Sequence, residues 1–226
     1  IDLKSWTALV RLMLSGSIGW FQGWMAGEWE SDDPVAAIAA FSANRHALAD
    51  MGRARGPLRW LAHLHHWLHR NSRAGARRNI HAHYDLGNDF YAAWLDPSMV
   101  YSSALFAGAA SPALEDAQRH KIDAALDRLA LQPGQRLLEI GCGWGALGAR
   151  AIARCGVEYV GLTLSAEQAA WAAPLVAPNG SVALRDYREE TGVYDAIASI
   201  EMVEAVGAAY WPAYLDGISR CLKPGG

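Results

Sequence analysis

Three glycines at alternate positions, Gly141, Gly143 and Gly145, follow directly on the run Leu137-Leu138-Glu139-Ile140, and this stretch constrains the fold more than any other. Pro133 and Gly134 are turn residues, so residues 135–140 read as a short buried strand. Residues 146–154 read as a helix that Gly156 stops. Strand, glycine turn and helix make a ligand-binding βα unit. Glycine lets the backbone bend sharply and lets a ligand approach it, and the helix start offers free N–H groups.

The turn by itself fits more than one use. Gly141, Gly143 and Ala146 satisfy the dinucleotide pattern G-x-G-x-x-A, but that pattern wants an acid about 20 residues on, for a ribose. The second strand, residues 157–162, instead runs into Thr163-Leu164-Ser165 with no carboxylate at its tip. An acid, Glu139, stands just before the glycines, and Glu-x-Gly-x-Gly-x-Gly resembles the nucleotide-binding motif of S-adenosylmethionine (SAM) methyltransferases. A glycine turn that only packs against its neighbours is the plain alternative.

The 226 residues suffice for one large domain or one and a half. With 52% hydrophobic and 19% charged residues, the chain is built to pack. A net charge of −3 offers no global attraction to nucleic acid, and no such partner is expected. Cys142, Cys155 and Cys221 form no C-x-x-C pair, which suits a reducing, cytoplasmic compartment and argues against structural zinc. No apolar run approaches the ~20 residues of a membrane span. Lys223-Pro224-Gly225-Gly226 reads as a turn into a further strand, so the sheet is expected to continue past it.

Residues 1–80 differ from the rest and are expected to form a small helical domain with a linker. They hold six of the ten tryptophans, and Arg70, Arg73, Arg77 and Arg78 form a basic tail. Ser31-Asp32-Asp33-Pro34 is a helix start, with residues 35–50 as the helix. Residues 58–70 read as a second helix with Leu58, Leu61, Leu64, Trp67 and Leu68 on one face. A basic helix with Trp on its apolar side can lie on a lipid surface, and an ordinary helix packed on the next domain gives the same pattern. His63, His65, His66 and His69 have no Cys or carboxylate close by to complete a metal site, so a solvated histidine face is expected and no metal.

After the polar stretch 71–79 the motifs become dense. His83-Tyr84-Asp85-Leu86-Gly87-Asn88-Asp89-Phe90-Tyr91, Leu95-Asp96-Pro97-Ser98-Met99 and Tyr101-Ser102-Ser103-Ala104-Leu105-Phe106 are too aromatic and irregular for one regular element, and read as a lid or pocket wall. With Glu139-Ile140-Gly141-Cys142-Gly143-Trp144-Gly145, Leu162-Thr163-Leu164-Ser165 and Ile200-Glu201-Met202-Val203-Glu204-Ala205-Val206-Gly207, they resemble the cyclopropane-fatty-acyl-phospholipid synthases and mycolic acid cyclopropane synthases. The resemblance covers residues 81–226 densely and is weaker over 1–80.

That resemblance implies an α/β fold, a doubly wound, mostly parallel sheet of the class I, Rossmann-like SAM methyltransferase type, over 81–226. The remaining elements fit it: a helix starting at Ser111-Pro112 with Ile122, Ala125, Leu126 and Leu129 on one face, a helix over 166–177, strands over 181–184 and 194–200, and a helix over 211–222. Ligands of such sheets bind outside the carboxyl ends of the strands. SAM is accordingly expected on Tyr101, Ser102, Glu139, Gly141, Gly143, Gly145, Thr163, Leu164, Ser165, Gln168, Asp186, Tyr187 and Arg188. Ser165 and Gln168 also read as a capping box, Ser-x-x-Gln.

The chemistry implied is transfer of a methyl cation to a double bond of an unsaturated phospholipid acyl chain at the membrane face. Water must be kept from the resulting carbocation, and Tyr84, Phe90, Tyr91 and Tyr101 could stabilise it. Loss of a proton closes a cyclopropane ring. The resemblance makes bicarbonate the base, held by Ser103, Glu204 and the main chain near Ile200, with Ser103 and Glu204 as the catalytic residues. Ser103 stands where familiar members carry Cys, which leaves room for a methylene- or methyl-branched product. A small-amine methyltransferase and an inactive lipid-binding module remain as alternatives, and a homodimer is compatible with the sequence.

Overall fold

The computed structural model describes residues 1–44, 87–106, 108 and 113–226. The helix read over 58–70, the histidine cluster, the basic tail and Tyr84 lie outside them. Two compact units are present, Ile1–Arg70 and Asn71–Gly226.

In the first unit, β1 (Asp2–Leu3) pairs antiparallel with β2 (Trp29–Glu30) around α1 (Thr7–Met25), and α2 (Pro34–Ala43) follows. Helix α1 is broken at Gly16, whose φ of 61° lies where only glycine is comfortable. The chain reverses there, so Gly19 lies against the Arg11 carbonyl and Gly23 against Ala8. The reversed arms pack on small residues: Ala8, Gly16, Gly19 and Gly23 are buried, whereas Met13, Ile18, Phe21 and Met25 are exposed. Trp20 stacks on Trp29 at 4.5 Å, Phe41 meets Trp20 edge-on at 5.9 Å, and the Arg11 guanidinium donates to both oxygens of Glu28. Asp33, not Ser31, caps α2, accepting from the Ala36 N–H with Pro34 behind it. The described helix ends at Ala43, and residues 45–50 of the expected longer helix lie outside the described set.

The described residues of the second unit form α3 (Asn88–Ala92) and α4 (Leu114–Leu129), followed by β3 (Arg136–Ile140), α5 (Ala146–Cys155), β4 (Glu158–Thr163), α6 (Ala166–Val176), β5 (Gly180–Leu184), β6 (Ala196–Ala198), α7 (Val203–Val206) and α8 (Trp211–Cys221). The sheet order is β5-β4-β3-β6, every pair parallel, with Leu137 opposite both Tyr159 and Ala196. Alternate side chains feed two cores. Leu137, Val157 and Tyr159 pack with Ile122, Leu126, Leu147, Ala151 and Val176 of α4, α5 and α6. Leu138, Ile140 and Leu162 pack with Val206, Tyr214 and Cys221 of α7 and α8. Helices on both faces of a parallel sheet are the doubly wound arrangement expected from the motifs.

Three boundaries differ from the sequence reading. Helix α4 opens at Leu114 after Ala113, with Ser111 and Pro112 outside the described residues. The last strand covers only Ala196–Ala198, because the Ser199 hydroxyl donates to the Ile140 carbonyl at 3.1 Å and ends the ladder. Tyr194 instead forms a parallel bridge with Leu222 beyond α8.

Candidate active site

The carboxyl ends of β3, β4 and β5 carry most of the residues expected at the cofactor. Gly141, Gly143 and Gly145 all have positive φ, at 82°, 52° and 89°. They serve different ends. A Cβ on Gly141 would meet Met202 Cγ at 2.7 Å and one on Gly145 would meet Ala172 Cβ at 2.8 Å, whereas one on Gly143 would point into open space. The outer two glycines therefore allow close packing, and the middle one leaves the backbone open to a ligand. The Gly141 and Cys142 N–H groups both donate to the Leu162 carbonyl at 3.0 Å, fixing the turn to β4.

Glu139 lies buried behind the turn, and the Tyr159 hydroxyl donates to it at 2.5 Å. Burial pushes its carboxyl up to about 8, against the opposing pull of Tyr159 and the Lys121 cation. At the tip of β4, Thr163 Oγ1 donates to Gln168 Oε1 at 2.8 Å and accepts from the Ser165 N–H at 3.1 Å. Ser165 caps α6 by accepting from the Gln168 N–H. The capping box is thus half formed: the Gln168 side chain turns to Thr163, not back to the Ser165 N–H. Leu164, between them, is half-buried. After β5, buried Asp186 accepts from the Arg188 N–H at 2.9 Å and from its guanidinium at 2.8 and 2.5 Å. Tyr187 meets Tyr214 edge-on at 5.1 Å. An open middle glycine, a buried acid beneath it and hydrogen-bonded strand tips alongside fit an adenosyl cofactor.

A wall of aromatic rings stands beside the turn. Trp144 Nε1 donates to Asn88 Oδ1 at 2.8 Å, which ties α3 to the glycine loop. Tyr91 lies 5.0 Å from Trp144, 5.9 Å from Trp94 and 5.7 Å from Tyr101, and Phe90 lies 5.4 Å from Tyr91. The Asp-Pro-Ser motif makes the turn beneath: Asp96 Oδ2 accepts from the Ser98 N–H and hydroxyl, and the Met99 N–H donates to the Asp96 carbonyl. Among the described residues no group of three His, Cys, Asp or Glu could hold a metal ion.

The strand-6 loop holds a contact that sequence reasoning missed. The Ser103 N–H and hydroxyl both donate to Glu201 Oε1, at 2.9 and 2.5 Å. These bonds hold the Glu201 carboxyl below the ordinary range, with Lys121 adding to the effect. Glu204, the acid chosen from the resemblance, is exposed on α7 and is not the one brought to Ser103; Ile200 is half-buried just before Glu201. Lys121 was also missed. It donates to Ser102 Oγ at 2.6 Å and to the Ser102 carbonyl at 3.3 Å, and burial lowers its amine while Glu201, Asp96 and Glu139 oppose that shift. Gln118 Nε2 donates to the Ser102 carbonyl at 2.8 Å, so α4 holds the Tyr101–Ser103 segment from behind.

Residues 71–226 match the mycolic acid cyclopropane synthetase family. Tuberculostearic acid methyltransferase UfaA1 of Mycobacterium tuberculosis is 39% identical over 231 residues, covering 96% of this chain and 53% of that protein. Cyclopropane-fatty-acyl-phospholipid synthase of Escherichia coli K12 is 35% identical over 233 residues, covering 100% of this chain and 58% of that one. The chain therefore spans a little over half the length of these relatives. Among solved structures, mycolic acid cyclopropane synthase CmaA1 complexed with SAH and CTAB superposes with a TM-score of 0.62 at 39% identity, covering 65% of this chain and 53% of that one. The glycine turn, the aromatic wall and these likenesses agree: the chain belongs to the mycolic acid cyclopropane synthetase family of SAM-dependent methyltransferases.

Proposed function

We propose that this protein transfers a methyl group from SAM to a double bond in an unsaturated phospholipid acyl chain, working on the cytoplasmic face of a membrane. The observation that carries the reading is the juxtaposition of an open glycine turn with a wall of five aromatic rings. The turn exposes backbone at Gly143, and Phe90, Tyr91, Trp94, Tyr101 and Trp144 offer an apolar flank with ring faces able to stabilise positive charge. SAM supplies an electrophilic methyl group. On this reading Gly141 to Gly145 take its backbone-facing side, with Glu139 beneath, and the Thr163–Gln168 and Asp186–Arg188 loops flank it. The aromatic wall excludes water from the acceptor carbon.

The resemblance further implies a cyclopropane product with bicarbonate as base on Ser103, Glu204 and the Ile200 main chain. The Escherichia coli relative's name supports a ring, and the UfaA1 name, that of a tuberculostearic acid methyltransferase with no mention of a ring, keeps a branched product as the second reading. A bicarbonate at Ser103 would share or take the place that the Glu201 carboxylate holds. Residues 1–80 are proposed to contact lipid, supported by the exposed apolar side chains of α1. A homodimer is compatible with this arrangement. The open Gly143 backbone weighs against an inactive module, and the lipid-synthase relatives weigh against a small amine acceptor.

The test is incubation of the full-length enzyme with unsaturated phospholipid vesicles and methyl-labelled SAM, followed by mass spectrometry of the acyl chains. A labelled gain of one CH2 unit in the acyl chain is expected, and fragmentation separates ring from branch. Label confined to water-soluble amines would overturn the proposal.

A further inference from the structure

Resting on the methyl-transfer reading above, we infer that Glu201 is the catalytic proton acceptor, its carboxylate standing in the place of a bound oxyanion. Ser103 offers two convergent donors, its N–H and its hydroxyl, and both end on the same Glu201 oxygen, at 2.9 and 2.5 Å, across 98 residues of sequence. Two donors converging on one oxygen are what a small oxyanion would need. Among the described residues Oε2 of Glu201 accepts no hydrogen bond, so one carboxylate oxygen is fixed and the other is left for a proton.

The backbone gives a second, independent observation. Glu201 has a φ of 51°, in the left-handed region that glycine favours. A side chain kept there against that preference points to a use for it. Its neighbours hold it at the cofactor loop: the Ser199 hydroxyl donates to the Ile140 carbonyl, and the Met202 side chain lies over Gly141. Glu201 is therefore fixed between the glycine turn and the segment that carries Tyr101. The Lys121 ammonium, bonded to Ser102, favours the ionised carboxylate. Glu204 lies three residues further on; both acids are exposed, and Glu204 makes no such contact with Ser103.

The step balances without another reagent. Methyl transfer leaves a cationic carbon on the acyl chain. For a ring, one proton of the transferred methyl passes to Oε2 and its C–H electron pair bonds the cationic carbon; for a branch, a proton on the carbon adjacent to the cation passes to Oε2 and its electron pair forms a C=C bond. The carboxylate becomes a carboxylic acid and later releases the proton to water. Bicarbonate is then unnecessary, which reverses the assignment implied by the resemblance.

Two variants of the full-length enzyme test this, with SAM affinity and melting temperature checking the fold. Glu201→Gln should lower turnover ~10²-fold or more, with SAM Kd changed by less than about twofold. Glu201→Gly suits the backbone, removes the carboxylate and frees both Ser103 donors; it should bind 13C-bicarbonate by NMR and regain turnover when bicarbonate is added. The wild type should bind no 13C-bicarbonate and should work fully in carbonate-free buffer. Wild-type turnover lost on purging carbonate, or wild-type turnover in Glu201→Gln, would overturn the inference. If the wild type methylates no acyl chain, the methyl-transfer reading fails instead. The binding arm still decides this one, since bicarbonate bound equally by the wild type and Glu201→Gly would sink it.

Discussion

The two units solve the same packing problem in opposite ways. In the second, large apolar side chains point inward: Leu137, Leu138, Leu162 and Val176 are buried on the two faces of the sheet. In the first, the reversed arms of α1 touch through Ala8, Gly19 and Gly23, and the large side chains point outward, Ile18 at 67% exposure and Met13 at 64%. Burial of apolar area, at about 25 cal/mol per Å2, holds the second unit together. It supplies little between glycines. What holds the first is close backbone approach, the Trp20–Trp29 stack and the Arg11–Glu28 pair. Small residues inside and large apolar residues outside is the pattern by which helices pack within lipid.

The comparison can be broken most sharply at Gly19. A Cβ there would sit 2.0 Å from the Arg11 carbonyl oxygen, so Gly19→Val is expected to open the reversed arms. Vesicle co-sedimentation of the full chain should be lost while SAM affinity changes by less than about twofold. A folded first unit in this variant, by hydrogen exchange, would refute the packing account. Next in size is the interior of the second unit. Leu137→Ala removes a side chain with 0% exposure and should cost about 2–5 kcal/mol in equilibrium unfolding, whereas a cost under 1 kcal/mol would mean the sheet carries less of the stability than its burial implies.

At the cofactor loop, Gly143→Val should weaken SAM binding at least about tenfold. Calorimetry of a folded variant with unchanged affinity would reassign the glycine turn to packing alone. The buried acid beneath it predicts a pH effect confined to the second unit. The folded pKa of Glu139 is raised from 4.5 to about 8, so folding favours the protonated form. That contribution is full below 4.5 and is lost as pH rises through 8. Glu139→Gln should therefore flatten the decline of stability between those values, and an unaltered pH profile would contradict it. The smallest effect is expected on the outside of α1. Ile18→Ala should shift unfolding in water by no more than about 0.5 kcal/mol, yet it should measurably weaken vesicle binding.

The second unit was largely legible in the sequence because its patterns are local. Turn residues bracket each strand, so β3, β4 and β5 begin and end within one residue of expectation. The cap at Ser165 needed only its neighbours. What failed depended on tertiary contacts. The last strand was read too long because nothing in residues 194–200 reveals that Ser199 will bond Ile140. Reversal at Gly16 was not legible, since an inward face of Ala and Gly gives no apolar stripe to count. The Ser103–Glu201 contact was not legible, because a positive φ and a partner 98 residues away leave no mark on spacing. The one signal available was chemical: a second acid three residues before the one taken from the resemblance.

The break at Gly16 also sets a depth. Each arm, residues 7–15 and 17–25, is nine residues long, about 13 Å at 1.5 Å per residue. A bilayer's hydrocarbon core is about 30 Å thick. Among the described residues no helix is long and apolar enough to cross it, and an arm of this length reaches no further than the midplane. The lipid contact proposed for these arms would thus be confined to a single leaflet, whose lipids alone would lie within reach of the outward side chains.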